Sequence, residues 1–329
     1  MIGVGIIGAG WWAGAHARAV KSVRTARLVA FASRSSERIA AFEREHGVPG
    51  LNDYRRLLDR ADVDAVVVAV PHDLHATIAV AALEAGKHVL LEKPMARNWA
   101  ECTSIAEAAR RSQTGFMLGM THHFNPAVAA AHRIVAAREL GRLVAGSCLF
   151  TQTWNWRRRA PFYRERVLGG GVWLTQGIHF VDRLLWLFGT DVVAVKSILG
   201  RRFHSPTEHA ADDVATTFLH FAGDAAGTVM LAGYRTGQLR NEMLVGGERA
   251  TLRLDERRLA ISHGESWLPV AVEEVDPMER EWAAWCRAIT EGTPSPVGLE
   301  YALALMDVVF AAERSSETGR EVRLQAPVL

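Results

Sequence analysis

Lysine is scarce in this sequence: of 38 basic side chains only Lys21, Lys87, Lys93 and Lys196 are lysines, and the rest are arginines. A lysine inside a suspected site is therefore not background. Cysteine is scarcer still. Cys102, Cys148 and Cys286 lie far apart and form no CxxC pair, so they offer neither a zinc site nor a redox couple, and reduced thiols in a cytoplasmic protein are expected. An excess of one charge is missing too: a formal net charge of +2 over 329 residues excludes a chain built to coat nucleic acid or an anionic membrane. The apolar run Ala65–Val70 is strand-sized and far short of a bilayer span. The first residues lack the basic region and cleavage site of a signal peptide, so a soluble intracellular protein is expected.

What is present is ordinary globular composition, 49% hydrophobic and 22% charged, on a chain longer than one core supports. Two domains are expected, residues 1–120 and 121–329. In the first, short β-branched runs (Val4–Ile7, Leu28–Ala32, Ala65–Val70, Val89–Leu91, Phe116–Gly119) alternate with helical stretches. That grammar predicts an α/β, doubly wound parallel sheet of the Rossmann type. After residue 121 strands follow one another without helices between them, from Val192–Leu199 to Leu259–Ser262. An α+β domain with an open, largely antiparallel sheet is expected, with Val172–Phe188 as one continuous apolar helix and two late helices, Glu279–Ile289 and Leu299–Glu313. Trp282 and Trp285 fall at helical spacing and read as core.

Gly8-Ala-Gly10-Trp11-Trp12-Ala13 follows the first strand and opens the first helix. It is GxGxxA, a variant of the dinucleotide fingerprint: one glycine for the turn, one for backbone approach to a pyrophosphate, and free N–H groups at a helix start. An acid about twenty residues on would hold the ribose 2′-hydroxyl of NAD, but Ser33-Arg34-Ser35-Ser36-Glu37-Arg38 puts no acid at the strand end. Ser33, Arg34 and Arg38 suit a 2′-phosphate, so NADP is preferred over NAD; the alternative is a solvated helix start capped by Ser35 or Ser36.

Further along come Val70-Pro71-His72-Asp-Leu-His75, then Glu92-Lys93-Pro94, then Gly169-Gly-Gly171-Val-Trp-Leu-Thr175-Gln-Gly177-Ile-His179-Phe-Val-Asp182. In combination these resemble the Gfo/Idh/MocA family, named from glucose–fructose oxidoreductase and inositol dehydrogenase. The resemblance runs over nearly the whole chain. It implies cofactor contacts from Gly8, Gly10, Trp11, Trp12, Val70, Pro71, His72, His75, Glu92 and Lys93. It also implies that Lys93 and His179 meet at the nicotinamide, and that the protein forms a homodimer or homotetramer. Lys93 would donate to the substrate oxygen and His179 would relay its proton. Many family dehydrogenases carry aspartate where this chain has Thr175, which cannot hold a negative charge. Asp182, three residues past His179, either orients that imidazole or pairs with a nearby arginine.

Secondary candidates for substrate contact are His122 with its neighbours His123 and Asn125, Tyr163, and Arg157, the last in a Trp156-Arg157 pair that reads equally as an arginine-rich surface loop. His204, Glu208 and His209 lack a closed ligand set, so no metal is expected. The sequence therefore reads as an NADP-preferring oxidoreductase of a sugar, cyclitol or comparable polyol. The rivals are a non-catalytic cofactor-binding sensor, which Thr175 favours, and a cyclic dihydrodiol dehydrogenase.

Overall fold

A computed structural model describes residues 1–155, 159–205, 207–234 and 237–324. The chain divides into two compact units, Met1–Thr121 with Asp276–Ala302, and His122–Val275 with Leu303–Leu329. Among the described residues no helix is long and apolar enough to cross a membrane.

The first unit is a six-stranded parallel sheet made of β1 (Ile2–Ile7), β2 (Ala26–Ala32), β3 (Gly50–Leu51), β4 (Ala65–Val68), β5 (His88–Glu92) and β6 (Phe116–Gly119). Its order is β3-β2-β1-β4-β5-β6. The strand order reverses beside β1, and ligands of such sheets bind at that switch point. β4 is β-branched and wholly buried, as a strand covered on both faces must be. The helices between strands start and stop on local signals: Asn98 caps α5 (Trp99–Arg111) by accepting the Glu101 amide, and Gly86, at φ +69°, follows α4 (His75–Glu84). The later segment supplies α8 (Pro277–Glu291), capped by Asp276 with Pro277 at its first position and ended by left-handed Gly292. Trp282 and Trp285 of α8 are both buried. Burial of roughly 200 Å² each corresponds to about 5 kcal/mol of apolar transfer per ring as an upper bound. This helix runs two residues further at each end than its periodicity suggests.

The second unit is a nine-stranded sheet, β14-β13-β12-β11-β7-β10-β9-β8-β15. Its strands are β7 (Leu143–Thr153), β8 (Val192–Gly200), β9 (Val214–Phe221), β10 (Ala226–Tyr234), β11 (Arg240–Gly247), β12 (Thr251–Leu254), β13 (Leu259–Ser262), β14 (Leu268–Val270) and β15 (Val322–Arg323). Among the described residues only the central β7/β10 pair of this sheet is parallel. Inward residues such as Cys148, Phe150, Val229 and Leu231 are buried, and α7 (Ile178–Phe188) packs on them, its Phe180 ring 5.0 Å from that of Phe150. The opposite face carries two rows set by strand register. Lys196, Phe218, Thr228, Ser147 and Leu244 form one, and Ile198, Thr216, Met230, Leu149 and Glu242 the other. Ile198, Phe218, Met230 and Leu244 are exposed.

The expected unbroken helix 172–188 is corrected. Trp173–Gly177 is a π-helical turn, and regular α-helix starts only at Ile178. The extra residue per turn follows three glycines, two of which, Gly169 and Gly171, take positive φ.

Candidate active site

The glycine loop leaves β1 at Gly8, whose φ is +127°. A Cβ there would lie 2.1 Å from the Ala69 carbonyl oxygen, so only glycine fits. Gly10 precedes α1 (Trp11–Ala19) in extended conformation, and no side chain caps that helix. The first amide to close the helix is Gly14, donating to Gly10 O at 3.0 Å. The amides of Trp11, Trp12 and Ala13 are left facing outward for an anion, and open space surrounds Gly10 where a Cβ would be. Trp11 is 72% exposed; Trp12 crosses it edge-on at 4.7 Å. These features fit a pyrophosphate.

After β2, the Ser33 amide donates to Leu51 O at 2.9 Å. Ser35 caps α2 (Ser36–His46), its hydroxyl accepting the Arg38 amide at 3.3 Å. Arg34 and Arg38 are exposed, and Ser33 is half-buried.

Val70 and Pro71 lie past the end of β4. His72, buried, starts a short 3-10 turn, with its ring 5.2 Å from that of His75. His75 is fully buried, one ring nitrogen 2.8 Å from Pro94 O and the other 3.1 Å from Val70 O. It thereby ties the end of β4 to the segment after β5, where the Lys93–Pro94 bond is cis. Burial lowers the pKa of His75, against the pull of those two carbonyls. Glu92 closes β5, and Lys93 follows it with its side chain buried. Glu92 Oε1 lies 2.8 Å from Nε2 of His16, on α1. The other ring nitrogen of His16 accepts the Trp282 indole N–H at 3.0 Å. Glu281, next to Trp282, is fully buried and accepts the Thr121 hydroxyl at 3.2 Å. Burial, reinforced by the charge of Glu92, pushes the pKa of Glu281 well up.

In the second unit Asp212 organises the glycine-rich turn. One carboxyl oxygen accepts the Trp173 amide at 2.7 Å and its carbonyl accepts that of Val172 at 3.0 Å. A Cβ on Gly171 would come within 2.1 Å of the same carboxyl group. Burial pushes the Asp212 acid up to about 7. Thr175, fully buried in the π turn, donates its hydroxyl to Gly171 O. His179 lies on the first turn of α7, and its ring stacks on that of His122. Asp182 Oδ1 faces His123 Nδ1 at 3.0 Å. His123 is therefore the imidazole the structure puts against this carboxylate, a partner that spacing along the helix did not suggest. Trp186 stands between His123 and His132, with ring centres 4.1 and 4.0 Å away. Tyr163 stacks on Phe162 at 4.2 Å. Arg157 and Trp156 lie outside the described residues.

His204 and His209 have structural partners. His204 Nδ1 is 3.1 Å from Asp213, while His209 receives the Trp154 indole N–H at 3.1 Å and reaches Ala211 O at 2.9 Å. Among the described residues no His/Cys/Asp/Glu group has metal-binding geometry. The cysteines are buried and outside any disulfide, and burial pushes the Cys102 and Cys148 thiols up to about 12.

Within the first unit, then, the structure brings Val70, His75, Glu92 and Lys93 together, and within the second it stacks His122 on His179, while Thr175 turns to Gly171 and Asp182 to His123. No pattern in the sequence marked His16, Glu281 or Asp212, and Trp282 read only as core.

The profile of the oxidoreductase family with an NAD-binding Rossmann fold matches residues 2–120, and that of the GFO/IDH/MocA C-terminal domain matches residues 128–253. The chain belongs to the Gfo/Idh/MocA family. Among curated relatives of this Gfo/Idh/MocA oxidoreductase is levoglucosan dehydrogenase of Pseudarthrobacter phenanthrenivorans, 28% identical over 69% of this chain and 66% of the relative. Another is trans-1,2-dihydrobenzene-1,2-diol dehydrogenase of Bos taurus, 30% identical over 69% of this chain and 66% of the relative. A solved levoglucosan dehydrogenase in complex with NADH superposes with a TM-score of 0.92 at 22% identity, covering 99% of both chains. At that identity the match speaks to fold, and it is the fold expected from the strand and helix pattern.

Proposed function

We propose that this chain is an NADP-preferring dehydrogenase or reductase of a sugar, cyclitol or related polyol, with NAD as the poorer cofactor. The nicotinamide, when bound, supplies the hydride acceptor or donor. The protein's task is to hold the carbon in place and to move the hydroxyl proton. Lys93 donates a hydrogen bond to the reacting oxygen and stabilises it as alkoxide; His179 takes the proton as hydride leaves the carbon, and returns it in the reverse direction. The observation that carries this reading is the Lys93 turn, buried and held on both flanks, in a family whose named relatives include dehydrogenases of a sugar anhydride and of a cyclic diol.

The cofactor preference rests on Ser33 and exposed Arg34 and Arg38 where an acid would select the free ribose. Thr175 favours a second reading, a cofactor-binding regulator, because its hydroxyl is engaged with Gly171 O and it carries no charge. As in other folds with one face of a sheet uncovered, we propose that a second copy covers the two rows that carry Ile198, Phe218, Met230 and Leu244, giving a homodimer or a tetramer built from it.

Steady-state rates with NADPH and NADH against a panel of sugars, cyclitols and cyclic dihydrodiols test the assignment. Turnover that falls at least about a hundredfold in Lys93→Met and in His179→Ala supports it. Tight cofactor binding without turnover on any panel member transfers the assignment to the regulator. A higher kcat/KM with NADH than with NADPH overturns the cofactor preference, and Arg34→Ala is expected to raise KM for NADPH alone.

A further inference from the structure

The Glu92–Lys93–Pro94 turn is gripped at both ends by histidines from other elements. His75 takes the Pro94 carbonyl. At the other end the contact is more specific. An indole N–H only donates, so the 3.0 Å contact from Trp282 makes His16 Nδ1 the acceptor. The imidazole proton must then sit on Nε2, which is aimed at Glu92 Oε1 at 2.8 Å. All three groups are nearly or completely buried. The tautomer of His16 is thus set by a residue 266 positions away, on a helix that returns to this unit late in the chain.

We infer that His16, with its proton placed by Trp282, is a positioning residue that fixes the Glu92 carboxylate and through it the Lys93 amine. The inference rests on the proposed role of Lys93 at the substrate oxygen. Three facts support it. A hydrogen bond to a buried carboxylate is among the strong ones, and its loss leaves that carboxylate desolvated and without its donor, so the strand end must shift. Lys93 is the next residue, and an amine that must meet an oxygen tolerates little displacement. Finally, the neighbouring Glu281 has its own hydroxyl partner in Thr121, and burial beside Glu92 favours its protonated form. Glu281 therefore has a partner of its own, and His16 Nε2 is aimed at Glu92.

Lysine scarcity makes the inference testable without knowing the substrate. Amine labelling at one pH, followed peptide by peptide in the whole protein, reports Lys93 beside three internal references. One of these, Lys87, is anchored on Arg60 O and Val63 O at 3.1 and 2.8 Å. Trp282→Phe keeps an aromatic side chain but removes the pyrrole ring with its N–H; His16→Ala removes the donor to Glu92; His16→Gln restores an N–H at about the same reach. The expected result is labelling of Lys93 about threefold faster or more in Trp282→Phe and His16→Ala, with Lys21, Lys87 and Lys196 unchanged and His16→Gln near wild type. In turnover, kcat should fall about tenfold in the same two variants, while KM for the cofactor moves less than about twofold. Unchanged Lys93 labelling in Trp282→Phe would overturn the inference. So would equal acceleration at all four lysines, since the N–H would then hold the fold rather than this amine. Failure of the assigned chemistry shows elsewhere: Lys93→Met would turn over like wild type whatever the labelling reports.

Discussion

The imidazoles of His122 and His179 lie face to face, ring centres 4.1 Å apart and planes inclined by 22°. His122 follows β6 in the chain, whereas His179 sits on the first turn of α7, so two separate segments set the plane of the proposed proton carrier. His122→Ala is expected to lower kcat on the order of tenfold by letting the His179 ring turn, and His122→Phe, which keeps a flat neighbour, to retain most activity. Equal losses in the two variants would mean that the ring nitrogens of His122, not its face, matter.

The two fingerprint glycines are predicted to fail differently. Gly8→Ala must press a methyl into Ala69 O at a φ of +127°, and should cost at least about 2 kcal/mol in chemical denaturation. Gly10→Ala meets nothing within 4 Å at a φ of −93°. Its stability should change by less than about 1 kcal/mol, while cofactor affinity falls about tenfold because the methyl takes the phosphate's place. Unaltered affinity in Gly10→Ala, measured by calorimetric titration with NADPH, would remove the pyrophosphate from this loop.

Asp212 gives stability a pH dependence. Burial raises its acid to about 7, opposed by the Trp173 amide and Arg166 and assisted by Glu313. Unfolded, the same group titrates near about 3.9. Between those values the folded protein binds more protons than the unfolded one, so this group makes stability fall as pH rises from about 4 to about 7 and then level off. Asp212→Asn keeps an oxygen for the Trp173 amide and does not titrate. Its stability should gain on wild type across that window, by on the order of 1 kcal/mol per pH unit at most, and its melting temperature should rise relative to wild type accordingly. Melting curves of the two proteins that run parallel from pH 5 to pH 8 would contradict the assignment.

The uncovered sheet face predicts assembly. Phe218→Glu combined with Ile198→Glu is expected to shift the sedimenting species to a monomer without unfolding it, since both side chains point away from the unit's own core. A dimer that survives both charges would have to use another surface.

Much of this was readable from residue order alone. β4 announces itself because a strand covered on both faces leaves no polar position, and the GxGxxA loop because its backbone geometry tolerates little else. What escaped reading were contacts whose two halves are far apart in the chain. Nothing near His16 marks it as the partner of Glu92, since one histidine in a short helix obeys no local rule. Trp282 and Trp285 showed helical spacing and hence burial, yet periodicity cannot say which core receives a helix. The π turn at Trp173–Gly177 was hidden for a different reason. It is held from outside its own sequence, by Asp212 about forty residues later, which accepts the Trp173 amide and leaves no room for a side chain at Gly171.

The first unit draws its last helix from residues Pro277–Glu291, after the whole run His122–Val275 has been spent on the second. A ribosome reading from the N-terminus therefore releases a nucleotide-binding half that is still missing Trp282 and Trp285. His16 waits for its indole partner while the 266 residues up to Trp282 are synthesised. A gene cut after residue 121 would not yield a smaller working module, because the piece that completes it is encoded beyond the other domain.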